Sequence, residues 1–175
     1  LALERGDTGT AAAIYSERLQ PKVTLAAPLN AVTDGASLLW RLQSSGHRMP
    51  GDTSQELADY AERWFSKAGS NAFIEVHMAM LAAITGNRTG LEQRLSDIDA
   101  RLSKGKLPAG SVVPETCRAV RAFADEDYQA CATILEPVAA DVVRIGGSHA
   151  QREIIEDTLL IALMKSGQAA KARHL

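Results

Sequence analysis

The sequence predicts an all-α protein built as an array of antiparallel helical hairpins. The first observation is a set of short polar turns that recur about every 40 residues, a spacing typical of helical repeats. The second is that apolar residues between the turns recur at helical spacing, and no segment alternates for long enough to suggest a strand. We therefore predict at least eight helices in a single helical-repeat domain, residues 1–175. The turns are Gly6-Asp7, Gly46-His47, Gly86-Asn87, Glu126-Asp127 and Gly167-Gln168.

Each turn joins a signal that ends one helix to a signal that begins the next. A glycine can adopt positive φ and end a helix, and a polar residue after it can cap the following one. The positions after the turn also repeat, since small or apolar residues stand five and nine places beyond the glycine or its equivalent. These residues are Ala11, Leu91, Cys131 and Ala172, then Tyr15, Leu95 and Leu135.

The first three helices follow from their end signals. The first runs from about Thr8 to Leu19 and stops before Pro21, which cannot donate the next backbone hydrogen bond. The second runs from Leu29 to Ser44. Thr53 and Glu56 form a capping box that predicts the start of the third. Its predicted buried stripe is Leu57, Tyr60, Ala61, Trp64 and Phe65.

The middle of the chain contains the most apolar helix. The segment from Asn71 to Thr85 is apolar almost all round, which predicts the central helix of the array. His77 and Met78 should lie in its interior, and His77 is expected to be a hydrogen-bonded core histidine instead of a general base. An amphipathic helix follows from Arg88 to Leu102, and residues 103–111 form a predicted flexible linker.

The last helices are marked by prolines and glycines. One helix starts near Pro114, which suits a first turn, and ends at Ala124. Its partner begins at Tyr128 and should be interrupted at Pro137. The last full helix runs from Ser148 to Lys165. Because both ends of the chain resemble parts of helices, we expect a C-terminal fragment of a longer repeat protein.

The overall composition narrows the classes of function. Apolar residues make up 46% of the chain and charged residues 23%, and the net charge is −2 with both signs interspersed. No basic patch indicates nucleic-acid binding, and no apolar stretch is long enough to predict a membrane span. Cys117 and Cys131 lack CxxC spacing and are predicted to be reduced core thiols in a cytoplasmic protein. We predict no cofactor.

Four stretches point to a known family. Gly6-Asp7, Ala11 and Tyr15 match the second-helix pattern of a tetratricopeptide repeat, G-D-x-x-x-A-x-x-x-Y. With residues 37–42, 76–80 and 145–153, they resemble the C-terminal portion of the tetratricopeptide repeat protein 38 family, from Leu1 to roughly Leu163. The resemblance implies a right-handed tetratricopeptide-like superhelix in a cytosolic protein, and it implies no enzymatic activity. The period here is about 40 residues instead of about 34.

The first helices of successive hairpins are expected to line a concave groove. Polar residues on the second helix recur at i, i+4, i+7 and i+11, which places them on one face. They could clasp the backbone or carboxylate of a peptide, or they could be an ordinary solvated helix face. The predicted groove residues are Asn30, Asp34, Ser37, Arg41, Glu75, Arg118, His149 and Arg152.

A second candidate site lies at residues 146–152. Two glycines precede a helix N-terminus, where free N–H groups favour anions, and Arg144, His149 and Arg152 could add donors. A helix-breaking turn with a capping box formed by Ser148 and Gln151 explains the same residues without a ligand. His149 also has spacing to two glutamates that a metal could use, but surface ion pairs are the alternative, and we predict no metal site.

Two functions therefore remain open. The preferred hypothesis is a non-enzymatic scaffold that binds a protein or peptide, or forms a homo-oligomer, without binding nucleic acid or membrane. The alternative is a small-ligand, anion or catalytic site at residues 146–152, with His77 or Glu75 nearby. Polar groups that converge in a closed pocket would favour the second hypothesis, and a shallow open groove would favour the first.

Overall fold

The computed structural model describes residues 2–69 and 71–175, and every regular element in these two ranges is helical. The predicted all-α class is therefore confirmed. A 3-10 turn, Leu3–Arg5, is followed by α1 (Thr8–Ile14, continued by a π-helix, Tyr15–Leu19), α2 (Pro28–Ser44), α3 (Gly51–Phe65), α4 (Ala72–Ile84), α5 (Arg88–Ser103), α6 (Val112–Ala124), α7 (Tyr128–Leu135, continued by a 3-10 helix, Glu136–Ile145), α8 (His149–Lys165) and α9 (Ala169–Ala172). Within this part of the chain, no helix is both long and apolar enough to cross a bilayer.

The five predicted turns are present, and their backbone explains them. Four of the five turns have a glycine at φ between 70° and 82°. The remaining turn, Glu126-Asp127, has Glu126 at φ 61° instead. At three turns the next polar side chain accepts a backbone N–H from the first turn of the following helix. These capping residues are Asp7, Asn87 and Asp127.

The helices form two layers around α4. Helices α2, α4 and α6 pack side by side, and α3, α5 and α7 pack against them from outside. Helix α4 is buried without interruption from Ile74 to Leu81, which confirms its predicted central position. His77 and Met78 are inside, as predicted.

Helix α8 departs from a simple stack of neighbouring hairpins. It packs against α7, as sequence order suggests, but it also contacts α2. Trp40 on α2 is buried, and its Nε1–H donates to Thr158 Oγ1 on α8 over 2.9 Å. Helix α8 therefore covers part of α2, one of the first helices that the sequence predicts to line the groove.

Helix α3 corrects two predictions. It begins at Gly51, directly after Pro50 and without a side-chain cap, so the predicted capping box of Thr53 and Glu56 is not formed. Trp64 is 59% exposed, so the prediction that it belongs to the buried stripe is wrong. The stripe is Ser54, Leu57 and Ala61, and a period of 3.6 residues continues it to the half-buried Phe65, leaving Trp64 beside it.

From residue 103 onwards the helices begin and end close to where the sequence predicts, with one difference in the segment before them. The α-helix from Tyr128 gives way to a 3-10 helix one residue before Pro137. Ser148 and Gln151 form the predicted capping box of α8. The segment predicted as a flexible linker is instead anchored, because Leu107 and Ala109 are buried and Arg144 donates to Pro108 O.

Candidate functional site

The predicted groove residue Glu75 lies inside the protein, so its assignment to a groove is wrong. Its side chain is fully buried. Glu75 Oε2 accepts from Arg94 Nη1 over 2.7 Å, and Oε1 accepts from the Gly69 N–H over 2.8 Å. Arg94 also donates to Phe65 O. Because neighbouring helices enclose α4, a carboxylate on it must be paired inside. We call these four residues the Glu75 clamp.

Arg118 belongs to a different surface from the polar residues of α2. Its guanidinium donates to Asp99 Oδ2 over 2.6 Å and to Glu115 Oε1 over 2.9 Å. The residue therefore links α6 to α5 across their common boundary. A surface ion-pair network accounts for Arg118. The structure does not bring it together with the polar residues of α2, which we call the α2 stripe: Asn30, Asp34, Ser37 and Arg41.

At the start of α8, the side chains of Ser148, Gln151 and Arg152 bond to backbone groups of the same segment. Arg152 donates to Gly147 O, and the Ser148 N–H donates to Gln151 Oε1 over 2.9 Å. His149 is strongly exposed and lies 3.3 Å from Glu153 Oε1. The phenyl ring of Phe73 packs against Gly147, where a Cβ would approach Phe73 Cε2 to 2.6 Å. Close packing and a φ of 79° explain the glycine without a ligand.

The α2 stripe begins exposed and ends in contacts with other helices. Asn30 and Asp34 are exposed. Ser37 Oγ lies 3.1 Å from His77 Nε2, and His77 Nδ1 lies 2.7 Å from Phe73 O. A carbonyl oxygen can only accept, so Nδ1 carries the proton and Ser37 donates to the bare Nε2. The serine and histidine thereby join α2 to α4.

The environment of His77 makes it a structural residue. Burial lowers the pKa of His77 to about 4, the charge of Arg41 acts in the same direction, and the hydrogen bond to Phe73 opposes it. The imidazole is therefore neutral at pH 7, and a base with so low a pKa is poorly matched to proton transfer there. The predicted hydrogen-bonded core histidine is confirmed by these contacts.

Arg41, the last residue of the stripe, reaches α8. Its Nε lies 3.5 Å from Asp157 Oδ2, and its Nη2 lies 3.4 Å from Ala150 O. Sequence reasoning missed Asp157. The available signal was the spacing of Glu153 and Asp157, four residues apart, which puts two carboxylates on one face of α8.

Arg41 and Asp157 border a cleft of about 630 Å³ between the N-terminal 3-10 turn, α1, α2 and α8. Its walls are largely apolar, and Ile14, 43% exposed, stands on the α1 side. We call it the α2–α8 cleft and define it by a set of apolar and polar residues. The apolar members are Ala2, Leu3, Ala11, Ile14, Leu38, Trp40, Ala150, Ile154, Leu160 and Ile161, and the polar members are Glu4, Arg41, Ser44, Ser45, Glu153, Asp157 and Thr158.

Asp157 on α8 has a raised pKa in the cleft. Partial burial raises the pKa of Asp157, and the nearby charges of Glu153 and Glu156 raise it further. The charge and hydrogen bond of Arg41 act in the opposite direction. Asp157 therefore lies in an environment that disfavours its negative charge, and an additional cation beside it would stabilise the ionised carboxylate.

Among the described residues, no three or more His, Cys, Asp or Glu side chains are arranged to hold a metal ion. No family model matches the chain. No solved structure matches it either.

Proposed function

We propose that this protein is a non-enzymatic interaction module that binds a polypeptide segment in the α2–α8 cleft. The observation that carries the proposal is the cleft itself, an open concavity of about 630 Å³ with apolar walls and a few polar groups. This combination of volume and lining is typical of sites that bind ligands. A peptide suits it because the cleft is bordered by three helices and open to solvent.

Binding is better supported than catalysis. The residues of the alternative site do not converge on a common open point: Glu75 is enclosed by Arg94, and Arg152 is bonded to the Gly147 carbonyl. His77 Nε2 is occupied by Ser37. Glu75 and His77 are also buried, so neither side chain can reach a substrate in solvent.

We also propose that the chain is a tetratricopeptide-like helical-repeat scaffold related to the tetratricopeptide repeat protein 38 family. The hairpin order, the turn spacing and the burial of Ala11 and Tyr15 at the repeat positions support this assignment. The two buried, unpaired cysteines, Cys117 and Cys131, suit a reducing cytoplasmic environment. In this proposal α8 narrows the concave face, and the cleft beside it becomes the binding surface.

Selection from a random peptide library displayed on phage tests the proposal. Ile14→Ser removes apolar surface from the cleft, and selected peptides should bind it about five-fold more weakly. Val143→Ser is the matched control, since Val143 is an exposed apolar residue outside the cleft. Selection of no peptides, or equal sensitivity to both substitutions, would contradict the proposal. Dimerisation that Ile14→Ser abolishes would make a second copy the occupant.

A further inference from the structure

We propose that the segment bound in the α2–α8 cleft presents a basic side chain, lysine or arginine, to Asp157, beside apolar side chains that fill the cleft. This inference rests on the proposed function, because it specifies the partner of the same cleft. It commits to one chemical class, a polypeptide in which a cation is flanked by apolar residues.

The charges around the cleft favour a cationic partner. Glu153 and Asp157 project from α8 to the same cleft, and Arg41 is the one lysine or arginine among the described residues that line it. Glu153 has His149 as its neighbour, which supplies a positive charge only when the imidazole is protonated. The cleft thus carries more acidic than basic groups, and complementary charge guides both encounter and specificity.

The contact between Arg41 and Asp157 leaves acceptor capacity for a partner. The two atoms nearest one another are 3.5 Å apart, longer than a charge-assisted hydrogen bond of about 2.7–2.9 Å. The Asp157 side chain is 53% exposed, and only Oδ2 faces Arg41 in this contact. A carboxylate offers about four lone-pair sites. A cation from solvent can therefore bind Asp157 without first breaking a tight ion pair.

The apolar walls supply the second element of recognition. Ile14 is partly exposed on one side, and Leu38, Leu160 and Ile161 are half-buried around it. Apolar side chains of a partner that cover these residues would be removed from water, which favours binding. The carboxylates of α8 border the same concavity, so a short segment can satisfy both elements at once.

The test compares two aspartates with the same peptide library. Asp157→Asn removes the charge in the cleft, and Asp141→Asn is the matched control, because Asp141 is similarly exposed but lies outside the cleft and near Arg144. Selection on the unsubstituted protein should enrich peptides in which lysine or arginine stands beside leucine, isoleucine or phenylalanine. Synthetic copies of the selected peptides should bind Asp157→Asn about three- to ten-fold more weakly and Asp141→Asn unchanged.

Arg41→Gln gives a result in the opposite direction. Removal of the competing guanidinium should tighten binding of the basic peptides about three-fold, which a purely structural role of Arg41 would not produce. Enrichment of acidic or uncharged peptides whose binding still depends on Ile14 would overturn this inference and leave the proposed function intact. Absence of any peptide whose binding depends on Ile14 would overturn both.

Discussion

Two arginine–carboxylate pairs in this molecule have the same chemistry and different settings. In the Glu75 clamp, Arg94 approaches a fully buried carboxylate to 2.7 Å, and two backbone groups complete the network. In the α2–α8 cleft, Arg41 approaches Asp157 to only 3.5 Å, and the aspartate is about half exposed. Both pairs join two helices, but only the second retains access to solvent.

The difference teaches how burial separates a structural pair from a binding group. A buried charge must be satisfied by the protein itself, so its geometry is tight and its partners are fixed. An exposed pair gains little from its own attraction, because water competes for both ions. The cleft pair can therefore exchange partners with little loss of stability, whereas the clamp cannot.

The largest expected effect is on the clamp. Arg94→Ala should lower the free energy of unfolding by about 3–5 kcal/mol, because it leaves Glu75 buried without its cation. Arg41→Ala should lower it by less than about 1 kcal/mol. Urea denaturation of the two variants measures both values. Equal losses would show that exposure does not separate the two pairs.

A second effect comes from His77 on α4, which is buried and hydrogen-bonded to Ser37 of α2. The pKa of His77 is about 4 in the folded protein and 6.5 in an unperturbed chain, so below pH 6.5 protons bind mainly to the unfolded state. Stability should therefore fall as the pH drops from 6.5 towards 4, by on the order of 3 kcal/mol from this residue.

His77→Gln provides the control for this pH dependence. Glutamine keeps one donor and one acceptor but does not titrate in this range. Denaturation curves collected between pH 4 and 7 should show a smaller loss of stability for the variant than for the unsubstituted protein. A variant with the same pH dependence would mean that other groups cause the loss.

A third effect tests the floor of the cleft, where α8 meets α2. Thr158→Val keeps the shape of the side chain but removes the acceptor of the buried Trp40 Nε1–H. The unsatisfied donor should lower the free energy of unfolding by about 1–3 kcal/mol. Thr133→Val on the exposed face of α7 is the control and should change stability by less than about 0.5 kcal/mol. Thermal melts that cannot distinguish the two variants would contradict the importance of this contact.

The smallest effect is expected at Trp64, outside both regions. Its indole is largely exposed and touches Tyr60 with ring centroids 6.5 Å apart. Trp64→Ala should therefore lower the free energy of unfolding by less than about 1 kcal/mol, although the sequence pattern predicts a buried residue. Trp40→Ala is the comparison and should cost about 3–5 kcal/mol through lost burial. Melting temperatures that rank the two tryptophans the other way would refute this placement.

Local chemistry by itself determined much of the architecture. The turns could be located because positive φ and N-terminal caps depend on residues within one helical turn of each other, as at Gly86 and Asn87. Pro137 interrupts its α-helix for an equally local reason. The helical spacing of Leu91, Leu95, Ile98 and Leu102 likewise predicts the inner face of α5, where the first three are buried and Leu102 is half-buried.

Only the tertiary structure decided the location of the candidate site. Trp40 and Thr158 are 118 residues apart, and nothing in either local pattern predicts that their helices meet. That contact brings Arg41 to Asp157 and creates the cleft, whereas the position of α4 inside the array buries Glu75. Polar residues on one helix face look alike in sequence. Packing alone determines which of them become enclosed and which remain open to a partner, because burial depends on elements distant along the chain.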